Sequence, residues 1–588
     1  MIKYGLLRAI RSSHLHLLRN ASTKPFYVTS PIFYVNGKPH LGHLYSMLLC
    51  DTRNRWEKLN PGRSSYFLTG TDEHGLKIQA AAESQGLHPK ELVDTVSRNF
   101  ITLAEKLDLK YDRFIRTTDQ DHVETVQEFW RIMSAKGLIY EGKHSGWYSI
   151  SDETFYPETQ IERVIDSEGR HKMISKETRN EVIKLEEINY RFKLSQFQDK
   201  LISFLESNPG FIEPKSKYRE LLAELKTTSL PDLSVSRPSS RLTWGIDVPG
   251  DPSQKIYVWF DALINYITAA GFPGKFHPNG TGVLVTPDDA IWPATHVIGK
   301  DILRFHCIYW PIFLIAAGIE LPKQVIVHSH WLSDSFKMSK SLGNVVDPIE
   351  TFEYYGQDSL RFFLAEYSNI ETDCNFNEQN FYYTRETLIG KYANLMTRCG
   401  GKSFNIKKSV ELYKEGMYNN IDQILHESNL SHVNSKDLIN QVETYTHSLN
   451  NLFDRMNSKV MKFDLMKGIQ EWWQVVEQAN QIFQLGEPWA YSKFLKGSDL
   501  GEDNKKNYYL LQNYFVFLAS EGCRICSILI NPIIPSLSTS ILDRLSVADS
   551  HRNADFCKIG QDLSYGDNAN SKNHKIPIER IPIRSKKE

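Results

Sequence analysis

FYVTSPIFYVNGKPHLGH, residues 26–43, joins a β-branched and aromatic run to a loop with Asn, Gly and Pro and then to a helix start. The run over residues 26–32 predicts a buried strand. Residues 40–58 then predict a helix that ends before Asn60-Pro61-Gly62. The alternation continues with strands predicted at residues 65–69 and 114–117, a helix at 76–85, and a helix capped by Asp121. Strands that alternate with helices predict a parallel, doubly wound α/β sheet.

The alternation of strands and helices is interrupted once and later stops. Residues 120–245 are mixed, charged segments, which indicate a subdomain inserted into the α/β domain. The alternation then returns, with strands predicted at residues 256–259, 295–298 and 324–328 and a helix at 301–317. From about residue 380 to about residue 545 only helical patterns continue. We therefore predict a doubly wound, Rossmann-like α/β domain with an inserted connective subdomain, plus an all-α helical bundle.

Composition and charge narrow the class of protein. The chain has 588 residues, of which 41% are hydrophobic, so it can form sizeable cores. Its 69 Lys and Arg against 70 Asp and Glu give a net charge of −1, so any nucleic-acid site must be a local patch. Seven cysteines do not make a disulfide scaffold in a chain of this length. The longest apolar run, residues 308–319, is too short to span a membrane.

The first 24 residues differ from the rest of the chain. They contain Lys and Arg among Ser and Leu at roughly helical spacing, whereas the first acidic residue is Asp51. A basic, acid-free amphipathic start without a secretory apolar core is typical of a mitochondrial transit peptide. The alternative is an N-terminal extension without a targeting role.

The motif His40-Leu41-Gly42-His43 lies where the first loop meets the first helix. A helix N-terminus presents free N–H groups and the positive end of its dipole, which suits phosphate. Gly42 carries no side chain, so a nucleotide can approach the backbone, and two imidazoles three residues apart can both donate to phosphoryl oxygens. The alternative is a pair of polar histidines at a helix cap. A zinc site is disfavoured because no further ligands stand at motif spacing.

A second motif, Lys337-Met338-Ser339-Lys340-Ser341, follows the strand predicted at residues 324–328. Asp347-Pro348 then predicts the start of a helix. Two lysines in a loop flanked by Ser and Gly can close over a polyphosphate and neutralise charge that develops only in the transition state. This pentapeptide is expected by chance on the order of 10⁻⁴ times, so a merely solvated loop is a weak alternative.

HLGH and KMSKS within an interrupted α/β domain resemble the class I aminoacyl-tRNA synthetases, and most closely the methionyl-tRNA synthetases of the short mitochondrial or bacterial kind. The resemblance covers nearly the whole chain after residue 25. The other segments that carry it are SPIFYVNGKPHLGH (30–43), TGTDEHG (69–75), YVWFDALINY (257–266), IGKDILRFHCIYWP (298–311), NLMTR (394–398) and GEPWAY (486–491).

The resemblance implies a pocket for methionine. A thioether needs an apolar, aromatic and polarisable environment. The α-ammonium needs a carboxylate, and Asp72 stands at the matching position. The other pocket residues that the resemblance implies are Ile32, Tyr34, Trp259, Ala262, Leu263, Tyr266, Ile302 and His306. Without the resemblance, the spacing of Trp259, Ala262 and Tyr266 would indicate core packing more often than a pocket.

The resemblance also implies that methionine and ATP form methionyl-adenylate and that methionine then passes to the 3′ end of a tRNA. No protein nucleophile is needed, so catalysis would consist of positioning and charge stabilisation. The implied catalytic residues are His40, His43, Lys337 and Lys340, and the implied ATP site contains these four with Gly42 and Ser339. Mg²⁺ is expected with ATP as a phosphate counter-ion, without a dedicated protein cage.

For the tRNA, the resemblance places Asn394, Arg398, Pro488 and Trp489 at a CAU anticodon. Proteins read unstacked bases by stacking on aromatic rings and by hydrogen bonds to base edges. Related enzymes often carry zinc-binding Cys pairs in the insertion, but residues 120–245 contain no Cys. We therefore predict no structural zinc and no protein metal site. The dimerising C-terminal extension of the family is not evident either, which favours a monomer.

On this interpretation the chain acts in the mitochondrial matrix without a membrane partner. The resemblance divides it into a transit peptide (1–24), the first half of the catalytic domain (25–120), an inserted connective subdomain without a zinc knuckle (121–244), the second half of the catalytic domain (245–328), the KMSKS loop with a stem-contact region (329–380), a helical anticodon-binding domain (381–560) and a basic C-terminal tail (561–588).

Other functions compete with this interpretation. A synthetase for another amino acid would share both motifs, although those for valine, isoleucine and leucine carry a larger editing insertion. A synthetase-like RNA-binding protein without activity would not need both motifs intact. A small nucleotidyltransferase would explain only HLGH, and a dinucleotide oxidoreductase is disfavoured because no GxGxxG follows the first strand. Adenylate formation distinguishes an enzyme from an RNA-binding protein.

Overall fold

A computed structural model describes residues 24–150, 154–156, 158–165, 169, 171–176, 178–333, 335–338, 345–427, 435–495, 501–567 and 578–584. The transit-peptide prediction therefore lies outside the described residues, except for Lys24. The strands are Phe26–Tyr34, Ser65–Asp72, Arg113–Arg116, Ile139–Ser149, Thr154–Tyr156, Ile161–Ile165, His171–Ser175, Ile183–Phe192, Ile212–Glu213, Leu233–Ser234, Ser236–Pro238, Asp247–Val248, Asp251–Ile256, His277–Pro278, Leu284–Val285, Ala294–Gly299, Gln324–His328, Trp331–Ser333, Phe336–Lys337 and Cys374–Phe376.

The α-helices are Leu41–Lys58, Leu76–Glu83, Pro89–Lys106, Gln120–Ala135, Gln198–Ser207, Lys215–Thr227, Val258–Leu263, Asn265–Ala269, Trp310–Ala317, Pro348–Tyr355, Gln357–Glu366, Glu378–Thr387, Asn394–Cys399, Ile406–Lys414, Ile421–Glu427, Ser435–Asn450, Leu452–Val460, Leu465–Leu485, Pro488–Phe494, Glu502–Ile530 and Pro535–Arg544. Two π-helices, Phe305–Tyr309 and Leu388–Ala393, and short 3₁₀ turns complete the regular structure.

The chain divides into two compact units. The first contains residues up to 50, residues 64–330 and residues 370–372. The second contains residues 51–63, 331–369 and the chain from residue 373 onward.

A six-stranded parallel sheet forms the centre of the first unit. Its spatial order is Arg113–Arg116, Ser65–Asp72, Phe26–Tyr34, Ala294–Gly299, Gln324–His328 and Ile212–Glu213. The first strand of the chain is thus central, with the second strand on one side and a strand from much later in the chain on the other. The strand order reverses at this point, as in doubly wound folds, and the predicted fold class is confirmed.

The approach of two of these strands depends on Gly70. A Cβ atom at this position would lie 1.9 Å from the carbonyl oxygen of Ile115 on the neighbouring strand. A glycine in a strand often marks such a close backbone approach. The position therefore excludes every larger residue, and the carboxyl end of Ser65–Asp72 stays close to its neighbour.

The stretch predicted as an insertion contributes both to a separate sheet and to the main sheet. Leu233–Ser234, Ile183–Phe192, Ile139–Ser149 and Thr154–Tyr156 form an antiparallel sheet in this order. Tyr156, Ile161 and Val182 form a small apolar cluster at this antiparallel sheet. Trp147 and Met173 pack against the cluster. By contrast, Ile212–Glu213 pairs with the edge of the main sheet.

The second unit is predominantly helical, and no strand follows Cys374–Phe376 in the described part of the chain. Its central helix, Glu502–Ile530, is long and apolar enough to cross a membrane, but its apolar window is fully buried within the protein. Burial of this kind is typical of the core helix of a globular protein. Arg361 and Asp51 form a fully buried ion pair in the same unit, with 2.6 Å between Nη2 and Oδ2.

Some local predictions were wrong. The N-cap of helix Gln120–Ala135 is Asp119, and Asp121 lies in the first turn. The run at residues 256–259 ends a strand at Ile256 and continues into helix Val258–Leu263. The helix predicted at residues 301–317 is divided into a 3₁₀ turn, a π-helix and an α-helix. In contrast, Asp347 caps its helix as predicted, and its carboxylate accepts a hydrogen bond from the N–H of Ile349 at 2.7 Å.

Candidate functional site

A small cavity lies beside the carboxyl end of strand Phe26–Tyr34, where the strand order reverses. In open α/β sheets, ligands bind in the crevice at this switch point. The cavity is lined by residues from the first two strands, from the two short helices Val258–Leu263 and Asn265–Ala269, and from the segment that follows Ala294–Gly299. The lining residues are Pro31, Ile32, Asp72, Trp259, Ala262, Leu263, Tyr266, Ile302 and His306.

Eight of the nine residues predicted to bind methionine line this cavity. The ninth, Tyr34, is not among its lining residues, and its hydroxyl donates to the carbonyl oxygen of His74 at 2.9 Å. Pro31 lines the cavity although the sequence analysis did not select it. A proline within a strand often marks a bulge, and the pairing register with the second strand does shift between Thr29 and Ile32.

The cavity combines one carboxylate with apolar and aromatic walls. Asp72 is the last residue of its strand and is 4% exposed. The ring of Trp259 stacks on that of Phe305, with 3.6 Å between centroids and 9° between planes. Phe305, which the sequence analysis missed, immediately precedes the predicted pocket residue His306. The cavity volume is about 20 Å³, which is room for about one water molecule.

His306 is held as a neutral imidazole. Burial lowers the pKa of His306 to about 4. Its Nδ1 lies 3.0 Å from the carbonyl oxygen of Ile302, which can only accept, so Nδ1 carries the proton. Its Nε2 therefore accepts from the hydroxyl of Tyr266 at 2.8 Å. The pocket wall thus contains a neutral, oriented polar pair rather than a second charge.

The two histidines of HLGH lie at the start of helix Leu41–Lys58, and their rings stack with 3.7 Å between centroids. Nδ1 of His40 accepts from the N–H of Gly42 at 3.1 Å. Nδ1 of His43 accepts from the N–H of His40 at 3.2 Å. Burial, followed by the neighbouring His40, holds the pKa of His43 well below its usual range. In neutral rings with these contacts the proton is on Nε2, so both Nε2 atoms are donors.

The KMSKS motif is described only in part. Phe336–Lys337 pairs antiparallel with Trp331–Ser333, and the backbone of Lys337 lies opposite Leu332. Ser339 and Lys340 lie outside the described residues, and for Lys337 only the backbone is described, so the predicted roles of all three stay predictions.

A cation–aromatic cluster in the second unit contains two of the four residues predicted at the anticodon, Arg398 and Trp489. The guanidinium of Arg398 lies 5.1 Å from the ring centroid of Phe483 and 5.9 Å from that of Trp489. Its Nη2 also donates to Gln484 at 2.9 Å. Trp489 is half-buried, and Pro488 is buried at the start of its helix. Asn394, at the start of helix Asn394–Cys399, is exposed.

Among the described residues, no group of three or more His, Cys, Asp or Glu side chains could hold a metal ion. The seven cysteines, all within the described residues, are buried and form no disulfide bond. The expectation that the chain binds no structural zinc stays a prediction.

A parallel sheet with paired histidines on a helix near its switch point defines a nucleotide-binding α/β enzyme. A model of the family described as "tRNA synthetases class I (M)" matches residues 26–400. The chain belongs to this family of class I tRNA synthetases.

Named relatives agree with this assignment. The chain is 58% identical over 567 residues to the mitochondrial methionine–tRNA ligase of Candida albicans, covering 96% of this chain and 98% of the relative. It is 43% identical to the mitochondrial methionine–tRNA ligase of Saccharomyces cerevisiae, covering 96% and 97%. The crystal structure of Mycobacterium tuberculosis methionyl-tRNA synthetase bound by methionyl-adenylate is similar at a TM-score of 0.76 and 33% identity, covering 91% of this chain and 96% of that one.

Proposed function

We propose that the chain activates methionine with ATP and transfers it to a tRNA with a CAU anticodon, for translation in the mitochondrial matrix. The observation that carries this proposal is the cavity in which one carboxylate, Asp72, faces apolar and aromatic walls. Its lining matches the chemistry of an amino acid with an ammonium group at one end and a thioether at the other. Relatives named mitochondrial methionine–tRNA ligases support the substrate and the compartment.

Methionine binds with its ammonium at Asp72 and its side chain between Trp259 and the Tyr266–His306 pair. The neutral state of His306 matters here, because an imidazolium would have to be desolvated against an uncharged thioether.

In the first step, a carboxylate oxygen of methionine attacks the α-phosphorus of ATP. The bond from this phosphorus to the bridging oxygen breaks, and pyrophosphate leaves with its electron pair. His40 and His43 act as Nε2–H donors to phosphoryl oxygens, and Gly42 lets the phosphates approach the helix N-terminus. Lys337, Ser339 and Lys340 bind the phosphates, and Lys340 binds most strongly in the transition state. Mg²⁺ enters as part of the ATP complex, held by phosphates and water.

In the second step, a hydroxyl of the terminal adenosine of the tRNA attacks the carbonyl carbon of methionyl-adenylate, and AMP leaves. The anticodon contacts the second unit at Asn394, Arg398, Pro488 and Trp489, where an unstacked base can stack on an aromatic ring.

The experiment that tests this function is ATP–pyrophosphate exchange by protein lacking residues 1–24, with each of the twenty amino acids added in turn. Stimulation by methionine alone, followed by aminoacylation of a CAU-anticodon tRNA, supports the proposal. Stimulation by another amino acid would refute the substrate but keep the class. Folded protein that gives no exchange with any amino acid would favour an RNA-binding protein without activity.

The cation–aromatic cluster gives a separate prediction for tRNA. We expect Trp489→Ala to raise the KM for tRNA by about five- to 160-fold, since one base–aromatic stack contributes about 1–3 kcal/mol. Methionine-dependent exchange should stay unchanged, because it does not require the anticodon. Aminoacylation kinetics measure the KM for tRNA, and ATP–pyrophosphate exchange kinetics measure methionine activation. Phe494→Ala is the matched control, because Phe494 is a 52%-exposed aromatic residue on the same helix. Equal losses in the two variants would contradict the role of Trp489.

A further inference from the structure

Three buried polar side chains next to the methionine cavity have no part in the mechanism above. Asp261 is 1% exposed, His74 is 7% exposed and His122 is fully buried. Nδ1 of His74 donates to Oδ2 of Asp261 at 2.7 Å, and Nε2 of His122 donates to Oδ1 at 2.8 Å. A buried carboxylate is tolerated only when such partners compensate its lost hydration. We name these three residues the Asp261 bridge.

The bridge joins the segment that contains Asp72 to the helix that contains the apolar lining residues. His74 follows Asp72 by two residues, in the loop after strand Ser65–Asp72. Asp261 lies in helix Val258–Leu263 and directly precedes the lining residues Ala262 and Leu263. The carboxylate that would bind the ammonium and the wall that would bind the thioether are therefore linked through one hydrogen bond.

His122 and the main chain of His74 make hydrogen bonds to two further elements around the cavity. Nδ1 of His122 lies 3.1 Å from the hydroxyl of Thr268, in the same helix as Tyr266. The carbonyl oxygen of His74 accepts from Tyr34 on the first strand. The bridge thus contacts each of the elements that surround the cavity except the segment at Ile302 and His306.

The charge state of Asp261 fits this role. Burial alone would raise the pKa of the Asp261 carboxyl, but its two imidazole partners outweigh burial and lower it. The carboxylate therefore accepts both hydrogen bonds at neutral pH. Loss of one partner would leave a buried charge only half compensated.

We propose that the Asp261 bridge holds the loop of Asp72 at a fixed distance from the thioether wall, and so makes His74 and Asp261 positioning residues for methionine. This inference rests on the proposed function. Neither residue contacts the substrate, so their effect is transmitted through Asp72 and through helix Val258–Leu263. A shift of about 1 Å in such a group can change catalysis by about 100-fold.

The test compares two substitutions of His74. Asparagine can place an amide N–H near the position of imidazole Nδ1, whereas alanine cannot. We expect His74→Ala to raise the KM for methionine in ATP–pyrophosphate exchange by about ten- to 100-fold. The KM for ATP should change by less than about three-fold, and His74→Asn should restore the KM for methionine to within about three-fold of wild type.

Two further measurements make the outcome decisive. In an Asp72→Asn background, His74→Ala should add little further loss, because two residues that act through one contact are not additive. Glu521→Gln is the control for general destabilisation, since Glu521 is a fully buried carboxylate of the second unit, paired with Arg524. It should lower thermal stability without a selective change in the KM for methionine.

The inference is overturned if His74→Ala and His74→Asn behave alike, if the KM values for methionine and ATP rise together, if the losses add in the Asp72→Asn background, or if His74→Ala does not fold. Failure of the proposed function looks different, since the wild-type protein would then show no exchange with methionine.

Discussion

We expect Lys340→Ala to lower the rate constant of methionine activation by about 10²- to 10³-fold while changing the Kd of ATP by less than about three-fold. A donor that meets charge developing only in the transition state contributes to kcat rather than to ground-state binding. Negative charge accumulates on pyrophosphate as the bond to the α-phosphorus breaks, and a lysine in a loop can follow it. Rapid-quench measurement of adenylate formation gives the rate constant, and equilibrium binding gives the Kd.

Lys402→Ala is the matched control for this prediction, because Lys402 is an exposed lysine of the second unit outside the motif. It should leave both quantities at their wild-type values. If Lys340→Ala weakened ATP binding by as much as it slowed activation, the lysine would be a ground-state ligand, and the assigned role would be wrong.

The second large effect is expected for Asp72→Asn, which should raise the KM for methionine by about 30- to 5000-fold. Removal of one partner from a buried, hydrogen-bonded charge pair costs about 2–5 kcal/mol. The KM for ATP should stay within about three-fold of wild type, because the proposed phosphate ligands do not include Asp72. Steady-state ATP–pyrophosphate exchange measures both constants.

A substrate analogue sharpens this prediction. Wild-type protein should prefer methionine strongly over the same molecule without its amino group, and Asp72→Asn should lose most of this preference. Asp94→Asn serves as the control, since Asp94 is a partly exposed carboxylate paired with Lys90 and Arg116. An unchanged preference in Asp72→Asn would show that the ammonium binds another group.

Five of the six strands of the main sheet could be predicted from short-range patterns, because buried parallel strands are short apolar runs between turn residues. The sixth strand, Ile212–Glu213, has only two residues and was not predicted. The strand at residues 324–328 has the predicted bounds, and the first strand exceeds its prediction by only two residues. The failure at Val258–Leu263 has a physical reason. Its aromatic and β-branched residues favour a strand locally. Tertiary packing can override this preference, because a helix that is buried on all sides is stabilised by the same apolar residues.

Eight of the residues that line the cavity are among those that the family resemblance implies. Which residues of the first strand face the cavity could not be predicted. Alternation along a strand would place Ile32 and Tyr34 on one side. The register shift between Thr29 and Ile32 disturbs this alternation, and consecutive residues Pro31 and Ile32 line the cavity instead. The Asp261 bridge could not be predicted, although His74 and Asp261 lie in two segments that carry the resemblance, TGTDEHG and YVWFDALINY. Nothing in either segment indicates that these two side chains meet.

The stack of Trp259 on Phe305 has a consequence for selectivity. It holds the Trp259 ring in one orientation at the cavity wall. A methionine side chain that packs on this ring would gain dispersion and sulfur–aromatic contacts. A shorter side chain would enter the same space but would leave part of the ring without contact. The protein can thus discriminate against smaller side chains through contact energy rather than by steric exclusion.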